Sequence, residues 1–420
     1  MPFGFSLLTL TQSRGSPGRD VCARAVGAAC CLLAAIATAT LAFDDWRARS
    51  QQSGEVLAAA RHSGNDQYWL RLAALWPGDD RRALEAALAD NPRNSDAWIK
   101  LAIAQEAATA KQQASAAFAQ AALVDRQFLP AWSRANFAFR SADLPLLWSE
   151  GARAVTLAFD DLRPLLDLAE RAGAEPETIL DRWGDEHTPG GARLRRAYLD
   201  VLIGGRRWDD SLLVARRLLN HPGSGEERTE DQRRLFALVD FQIDAGRSEQ
   251  AWEVWQGLTG LAALPLSNGD LGHAPSGHGF DWRARPSPAI VFRWRPGAAE
   301  FNFSGQQEDE SLLLEQPVVL NAAPRSYHFS SKIRTPGNDD SAQASSAFVW
   351  SLEWPQHRPL VLQSGVSTTI RTPPSGTRQI PARLRLLYRR TVGAAPFVGR
   401  LSLGPVELTP ADPDIEATGG

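Results

Sequence analysis

Trp98 and Trp132 stand 34 residues apart, and each opens a stretch with the apolar spacing of a helix. A period of this length belongs to a helix–turn–helix unit, which cannot bury its apolar face alone and must stack on copies of itself. The residues between the two tryptophans fit that geometry. Leu101 and Ala102 fill a large and a small position on the first helix, and Ala114, Phe118 and Ala121 fill small, aromatic and small positions on the second. A small residue on one helix leaves the gap into which a bulky neighbour packs. The unit opened by Trp132 continues with Ala135, Asn136 and Phe139, and has Trp148 where a small residue is expected. The preceding unit is anchored by Leu84, Ala87 and Pro92, with its first helix expected over Gln67–Leu75. Two looser units follow, Tyr198–Leu219 around Gly204-Gly205-Arg206-Arg207 and Leu235–Leu258 around Ala245-Gly246-Arg247.

This register is that of a tetratricopeptide-like repeat, and it predicts a helical solenoid over residues 50–264. Pro and Gly break the helical pattern at Pro77-Gly78, Asn91-Pro92, Pro189-Gly190-Gly191 and His221-Pro222-Gly223. Residues 265–288 are rich in Gly, Pro, Ser and His and read as a linker. Over residues 289–409 the period changes to two. Ile290, Phe292 and Trp294 share one face of a strand; Tyr327, Phe329 and Ile333 share a second; Phe348, Trp350, Leu352 and Trp354 a third; Leu384, Leu386 and Tyr388 a fourth. Shorter strands are expected at Glu300–Phe303, Gln316–Leu320, Leu360–Gln363, Leu401–Leu403 and Val406–Leu408. Their number and spacing predict an antiparallel β-sandwich of jelly-roll type, followed by a disordered polar tail over residues 410–420. The expected fold class is therefore multidomain, α then β.

Before the repeats, Ala25–Phe43 is free of charge and long enough to cross a bilayer. Arg14, Arg19 and Arg24 precede it, and Asp44 and Asp45 follow it. The positive-inside bias places residues 1–24 in the cytoplasm and the bulk of the chain in the periplasm, on a single-pass inner-membrane helix over residues 25–43. A cleaved signal peptide with its site at Ala37-Thr38-Ala39 is the rival reading. The net charge of −3 gives no reason to expect nucleic acid as a partner. The three cysteines, Cys22, Cys30 and Cys31, all lie in or beside the apolar run, so the rest of the chain has neither a disulfide framework nor a thiolate metal site.

One further stretch is distinctive: Asn268-Gly269-Asp270, then Gly279-Phe280-Asp281-Trp282. With Val124-Asp125-Arg126, Pro130-Ala131-Trp132 and Asn136-Phe137-Ala138-Phe139-Arg140 upstream, it resembles a group of bacterial membrane-anchored tetratricopeptide-repeat proteins. Those proteins end in a sandwich similar to a carbohydrate-binding module. Leu271 stands where that group leads one to expect Phe. The resemblance implies a place beside the assembly or export of cell-surface polysaccharide.

No catalytic motif stands out. There is no nucleophile elbow and no phosphate loop, and Ser224 in Pro222-Gly223-Ser224-Gly225-Glu226 lies between helices. Acidic pairs such as Asp44-Asp45, Asp79-Asp80 and Asp160-Asp161 fall at helix boundaries, where they serve exposed amides. His273 and His278, near Asp270 and Asp281, come closest to a metal cluster but read as loop residues, so no metal and no cofactor is expected. Sugar rings stack on flat aromatic faces, which makes Trp282, flanked by Asp281 and Arg283, the expected glycan contact. Arg293, Arg295, Lys332, Arg334, Arg383, Arg385 and Arg389 make a basic face if they share one sheet. On the repeats, Ile103, Glu106, Phe137 and Arg140 are the expected groove for a protein partner. The sequence thus points to a non-enzymatic membrane-anchored scaffold that binds protein through its repeats and glycan through its sandwich. A protein-only adaptor with a structural sandwich and a glycan-modifying enzyme are the alternatives.

Overall fold

The computed structural model describes residues 17–49, 52–75, 80–159, 161–260, 265–321, 326–335, 347–373 and 379–411. The break expected at Pro77-Gly78 and the tail after residue 411 lie outside the described residues. The chain divides into two compact units, Met1–Ala158 and Phe159–Gly420.

The first unit is helical. α1 (Pro17–Ala48) carries a stretch, Val26–Ala48, that by length and composition is able to cross a membrane. Its apolar side chains, among them Leu32, Leu33, Ile36 and Phe43, are more than half exposed, whereas Asp44 and Ala48 near its end are buried. There follow α2 (Ser53–Ser63), α3 (Asp66–Leu75), α4 (Asp80–Asp90), α5 (Ser95–Ala107), α6 (Lys111–Val124), α7 (Phe128–Arg140) and α8 (Leu144–Leu157). Each packs on the next in the chain, and α5 also meets α7. Local chemistry sets the starts: Asn94 Oδ1 accepts from Ala97 N at 3.0 Å to cap α5, and Asp143 Oδ1 accepts from Leu146 N at 3.1 Å to cap α8. Between α5 and α6, Phe118 is buried against Phe137 of α7, with centroids 5.1 Å apart, and Ala102, Ala114 and Ala121 close the gaps around them.

The second unit begins with α9 (Arg163–Arg171), α10 (Pro176–Arg182), α11 (Gly191–Gly204), α12 (Trp208–Asn220), α13 (Glu226–Asp244) and α14 (Ser248–Thr259). Here α11 meets α13 and α12 meets α14. One turn recurs along both helical stretches. Thr109, Ala142, Gly173, Arg206 and Gly246 all have positive φ, at intervals of about 31–40 residues. After each, the next amide reaches back five residues: Ala110 N to Gln105 O, Asp143 N to Ala138 O, Ala174 N to Ala169 O, Arg207 N to Leu202 O and Arg247 N to Gln242 O, at 2.8–3.1 Å. This is the left-handed closure that satisfies the last carbonyls of a helix. It marks a repeating helical hairpin more evenly than the side chains do.

Two antiparallel five-stranded sheets complete the unit. The first runs β1 (Arg283–Ala284), β4 (Glu310–Asn321), β9 (Gln379–Arg389), β6 (Phe348–Glu353) and β7 (Leu360–Leu362) in spatial order. The second runs β2 (Ile290–Arg295), β3 (Ala298–Ser304), β10 (Val398–Pro410), β5 (Ser326–Arg334) and β8 (Thr368–Arg371). Their inner faces share one core, in which Phe303 and Phe329 of the second sheet meet Phe348 and Trp350 of the first at 5.5 and 5.6 Å. The strands expected at Leu401–Leu403 and Val406–Leu408 are one strand, β10, whose register shifts between Leu403 and Val406. Gly404-Pro405 spans that shift, where Pro405 has no amide to give the ladder.

Candidate functional site

The segment before β1 folds back on itself through backbone groups. Asn268 and Leu271 take positive φ, and Asn268 exchanges two hydrogen bonds with His273: Nδ2 donates to O at 2.9 Å, and Oδ1 accepts from N at 3.1 Å. Asp281, itself buried, accepts from Ser276 N and Trp282 N, both at 2.7 Å. Trp282 has no exposed surface. Its indole Nε1 donates to Asn268 O at 2.9 Å, and its ring lies 6.0 Å from that of Trp350.

The expected glycan contact is therefore corrected. Trp282 is a core residue whose polar tip is satisfied by the loop, and it presents no face on which a sugar could stack. Asp281 and Arg283 are joints of the same loop. Arg283 Nη2 donates to Asp240 Oδ1 on α13 at 2.6 Å and to Gly279 O at 3.1 Å. Asp240 accepts in addition from Gly279 N at 2.7 Å and pairs with His278 Nδ1 at 2.8 Å. Among the described residues no group of His, Cys, Asp and Glu is placed to hold a metal ion.

The basic face is divided as well. Arg293, Arg295, Lys332 and Arg334 lie on the second sheet, and Arg383, Arg385 and Arg389 on the first. Those on the first sheet are met by carboxylates: Arg389 by Glu310 at 3.2 Å, Arg385 by Glu353 at 2.6 Å and by Glu315 at 3.4 Å, and Arg383 by Asp244 at 3.5 Å. Glu315 is almost fully buried and also accepts from Arg285. Burial pushes its pKa up. The hydrogen bond and charge of Arg285, with the charges of Arg385 and Arg383, outweigh burial and hold the carboxyl below the usual range.

In the expected partner groove, Ile103 and Arg140 are exposed and Glu106 is partly buried. Arg140 grips Glu106 with two bonds of 2.8 and 2.6 Å, and Ile103 is half exposed. Phe137 does not belong there. It is buried against Phe118, because its place on α7 faces the inter-helix core.

In the second unit, a cleft of about 630 Å³ lies where the turn after α13 and the start of α14 face β4, β9 and the end of β6. Ile243, Phe280 and Trp354 form its apolar walls, and Asp244, Glu353, Arg383 and Arg385 its charged rim. Each carboxylate is matched to a guanidinium rather than to a second carboxylate. Such a set fixes geometry and leaves no like-charge pair to share a proton. Sequence reasoning missed Asp240 and Gln316, which join the helices and the first sheet to this loop. Gln316 is buried and its Nε2 donates to Ser267 O and Phe280 O at 2.7 and 2.6 Å. The signal for Gln316 was present as a polar residue before the apolar run Pro317–Leu320.

No protein-family model matches the chain, and no curated protein matches it.

Proposed function

We propose that this protein is a non-enzymatic scaffold held in the inner membrane by α1, with its bulk in the periplasm. In this reading the helical hairpins are tetratricopeptide-like repeats that bind a protein partner at the surface bearing Ile103, Glu106 and Arg140. The two sheets form a β-sandwich of jelly-roll type that braces the second unit. The observation that carries the proposal is α1 itself. Its apolar side chains from Val26 to Phe43 are uncovered, while Asp44 and Ala48 at its end are buried. An uncovered apolar stretch of this length is stable in a bilayer and not in water. The burial of Trp282 and the pairing of the β9 arginines favour a structural sandwich over a glycan-binding one. The process, assembly or export of surface polysaccharide, follows from the resemblance described above.

The test is fractionation of cells producing the full chain, followed by protease treatment before and after the outer membrane is opened. The full-length chain is expected in the membrane pellet after carbonate washing, and cleaved only once the outer membrane is opened. A soluble chain shortened near Ala39 would overturn the anchor, and protection after opening would overturn the orientation.

A further inference from the structure

The two sheets have four edge strands, and three of them are short: β1 has two residues, β7 three and β8 four. Short edges leave little unpaired backbone to which another chain could add. The fourth edge, β2, has six residues and pairs with β3, in unbroken register from Ile290 opposite Phe303 to Arg295 opposite Ala298. No proline and no bulge interrupts it.

Two contacts at the start of β2 fix which backbone groups face its open side. Ser304 N donates to Ala289 O at 3.0 Å, so Ala289 points its carbonyl at β3. Ile290 points the other way: its N and O both bond to Ser287 in the preceding turn, at 3.0 Å. Backbone groups alternate sides along an antiparallel strand. Val291, Arg293 and Arg295 therefore bond toward β3, and Phe292 and Trp294 turn their N–H and C=O groups outward, where no described residue hydrogen-bonds to them. Side chains alternate between the faces of the sheet in the same steps. Phe292 lies 5.2 Å from Phe301, and Trp294 Nε1 donates to Leu271 O at 2.9 Å, so both are partly covered. Val291, Arg293 and Arg295 stand on the other face and are exposed.

We infer that β2 is a docking edge, which takes an extended acidic segment of a partner protein as an added antiparallel strand of the second sheet. The outward groups of Phe292 and Trp294 supply the main-chain bonds, and the exposed side chains select the sequence. Residues of the added strand that face Val291, Arg293 and Arg295 fall at the closely spaced pairs, so a carboxylate opposite an arginine lies within reach of it. The sheet itself leaves that charge unbalanced: Glu300 stands opposite Arg293 and meets Arg295 at 3.5 Å, one carboxylate beside two guanidiniums. The same charges argue against a second copy of β2 as the occupant. The antiparallel register that uses both outward residues of each copy sets Arg293 against Arg293, and like charges directly opposite destabilise a sheet. The edge is independent of the scaffold reading, since neither α1 nor the repeat surface contributes to it.

The experiment is titration of the fluorescently labelled peptide Val-Glu-Val-Glu-Val-Glu-Val with the detergent-solubilised full chain, followed by anisotropy. Saturable binding is expected, and none of the same peptide with Lys in place of Glu. N-methylation of the Val amides, which face β2, should abolish binding, whereas N-methylation of the Glu amides, which face away, should leave it. Arg293→Glu should weaken binding about tenfold and admit the Lys peptide, and Arg293→Gln should weaken it about threefold. Lys111→Glu, the same change of charge at an exposed position on α6, should leave it unchanged. Arg293 is exposed, so its variants should melt as the parent does, and Arg293→Gln keeps the test clean if Arg293→Glu is destabilised beside Glu300. Failure of the Glu peptide to bind, equal binding of its Val-methylated form, or undiminished binding by both Arg293 variants would overturn the inference.

Discussion

At the scale of single residues, Glu315 is a buried charge held among arginines. Burial pushes its pKa up, but Arg285, Arg385 and Arg383 outweigh it and keep the folded pKa below the unfolded value of about 4.3. Depression of a carboxylate pKa has a definite sign. The stabilisation is fully present above the unfolded pKa and is lost as the pH falls through that value toward the folded one. Glu315→Gln should therefore destabilise the protein at pH 7 by about 1–3 kcal/mol and flatten the acid limb of its stability below about pH 4.5. Urea melts from pH 7 to pH 3 measure this, and parallel acid limbs in parent and variant would refute it. Trp282 shows why residue roles are harder to read than residue types. An indole beside Asp281 and Arg283 looks wet in the sequence, yet its N–H is spent on Asn268 O and its ring on Trp350. Flanking charge says nothing about where a side chain points when the chain reverses around it.

At the scale of elements, the informative contact is between α13 and the loop that leads into β1. Asp240 takes hydrogen bonds from Gly279 N and Arg283 Nη2 and pairs with His278 Nδ1. Gly279 can sit there because it has φ +54° and no side chain. A Cβ would lie 2.4 Å from the Trp255 ring. Asp240→Asn should cost about 1.5–3 kcal/mol and speed amide exchange in residues 268–283 more than in β9. Exchange raised equally in both would mean that the loop and the sheets open as one. The elements themselves were largely legible. The alternation in Ile290–Arg295 and Ser326–Arg334 coincides with β2 and β5, and the expected helix over Gln67–Leu75 with α3. Short or irregular pieces were not. β1 has two residues, and β8 has the unremarkable composition Thr-Thr-Ile-Arg, so neither carries a period long enough to detect.

At the scale of the whole molecule, the second unit holds α9–α14 together with both sheets. Trp252 and Trp255 of α14 pack edge-on against Phe280 at 4.9 and 6.2 Å, and Arg383 of β9 meets Asp244 at the end of α13. A fragment of residues 159–411 should thus unfold in one cooperative urea transition. Residues 265–411 alone should be markedly less stable, since they expose Phe280 and lose Asp240. Equal midpoints for the two fragments would show that the sheets need no helices. The order helix then strand, the apolar first helix and the approximate hairpin repeat are all readable along the chain. Those depend on periods along the chain, which neighbouring residues carry. That Trp282 and Phe137 face inward, and that the β9 arginines meet carboxylates, is set by the packed fold. The packed fold alone joins the last six helices to the sheets. Burial and ion pairing depend on residues far apart in sequence, and no local period records which of them will meet.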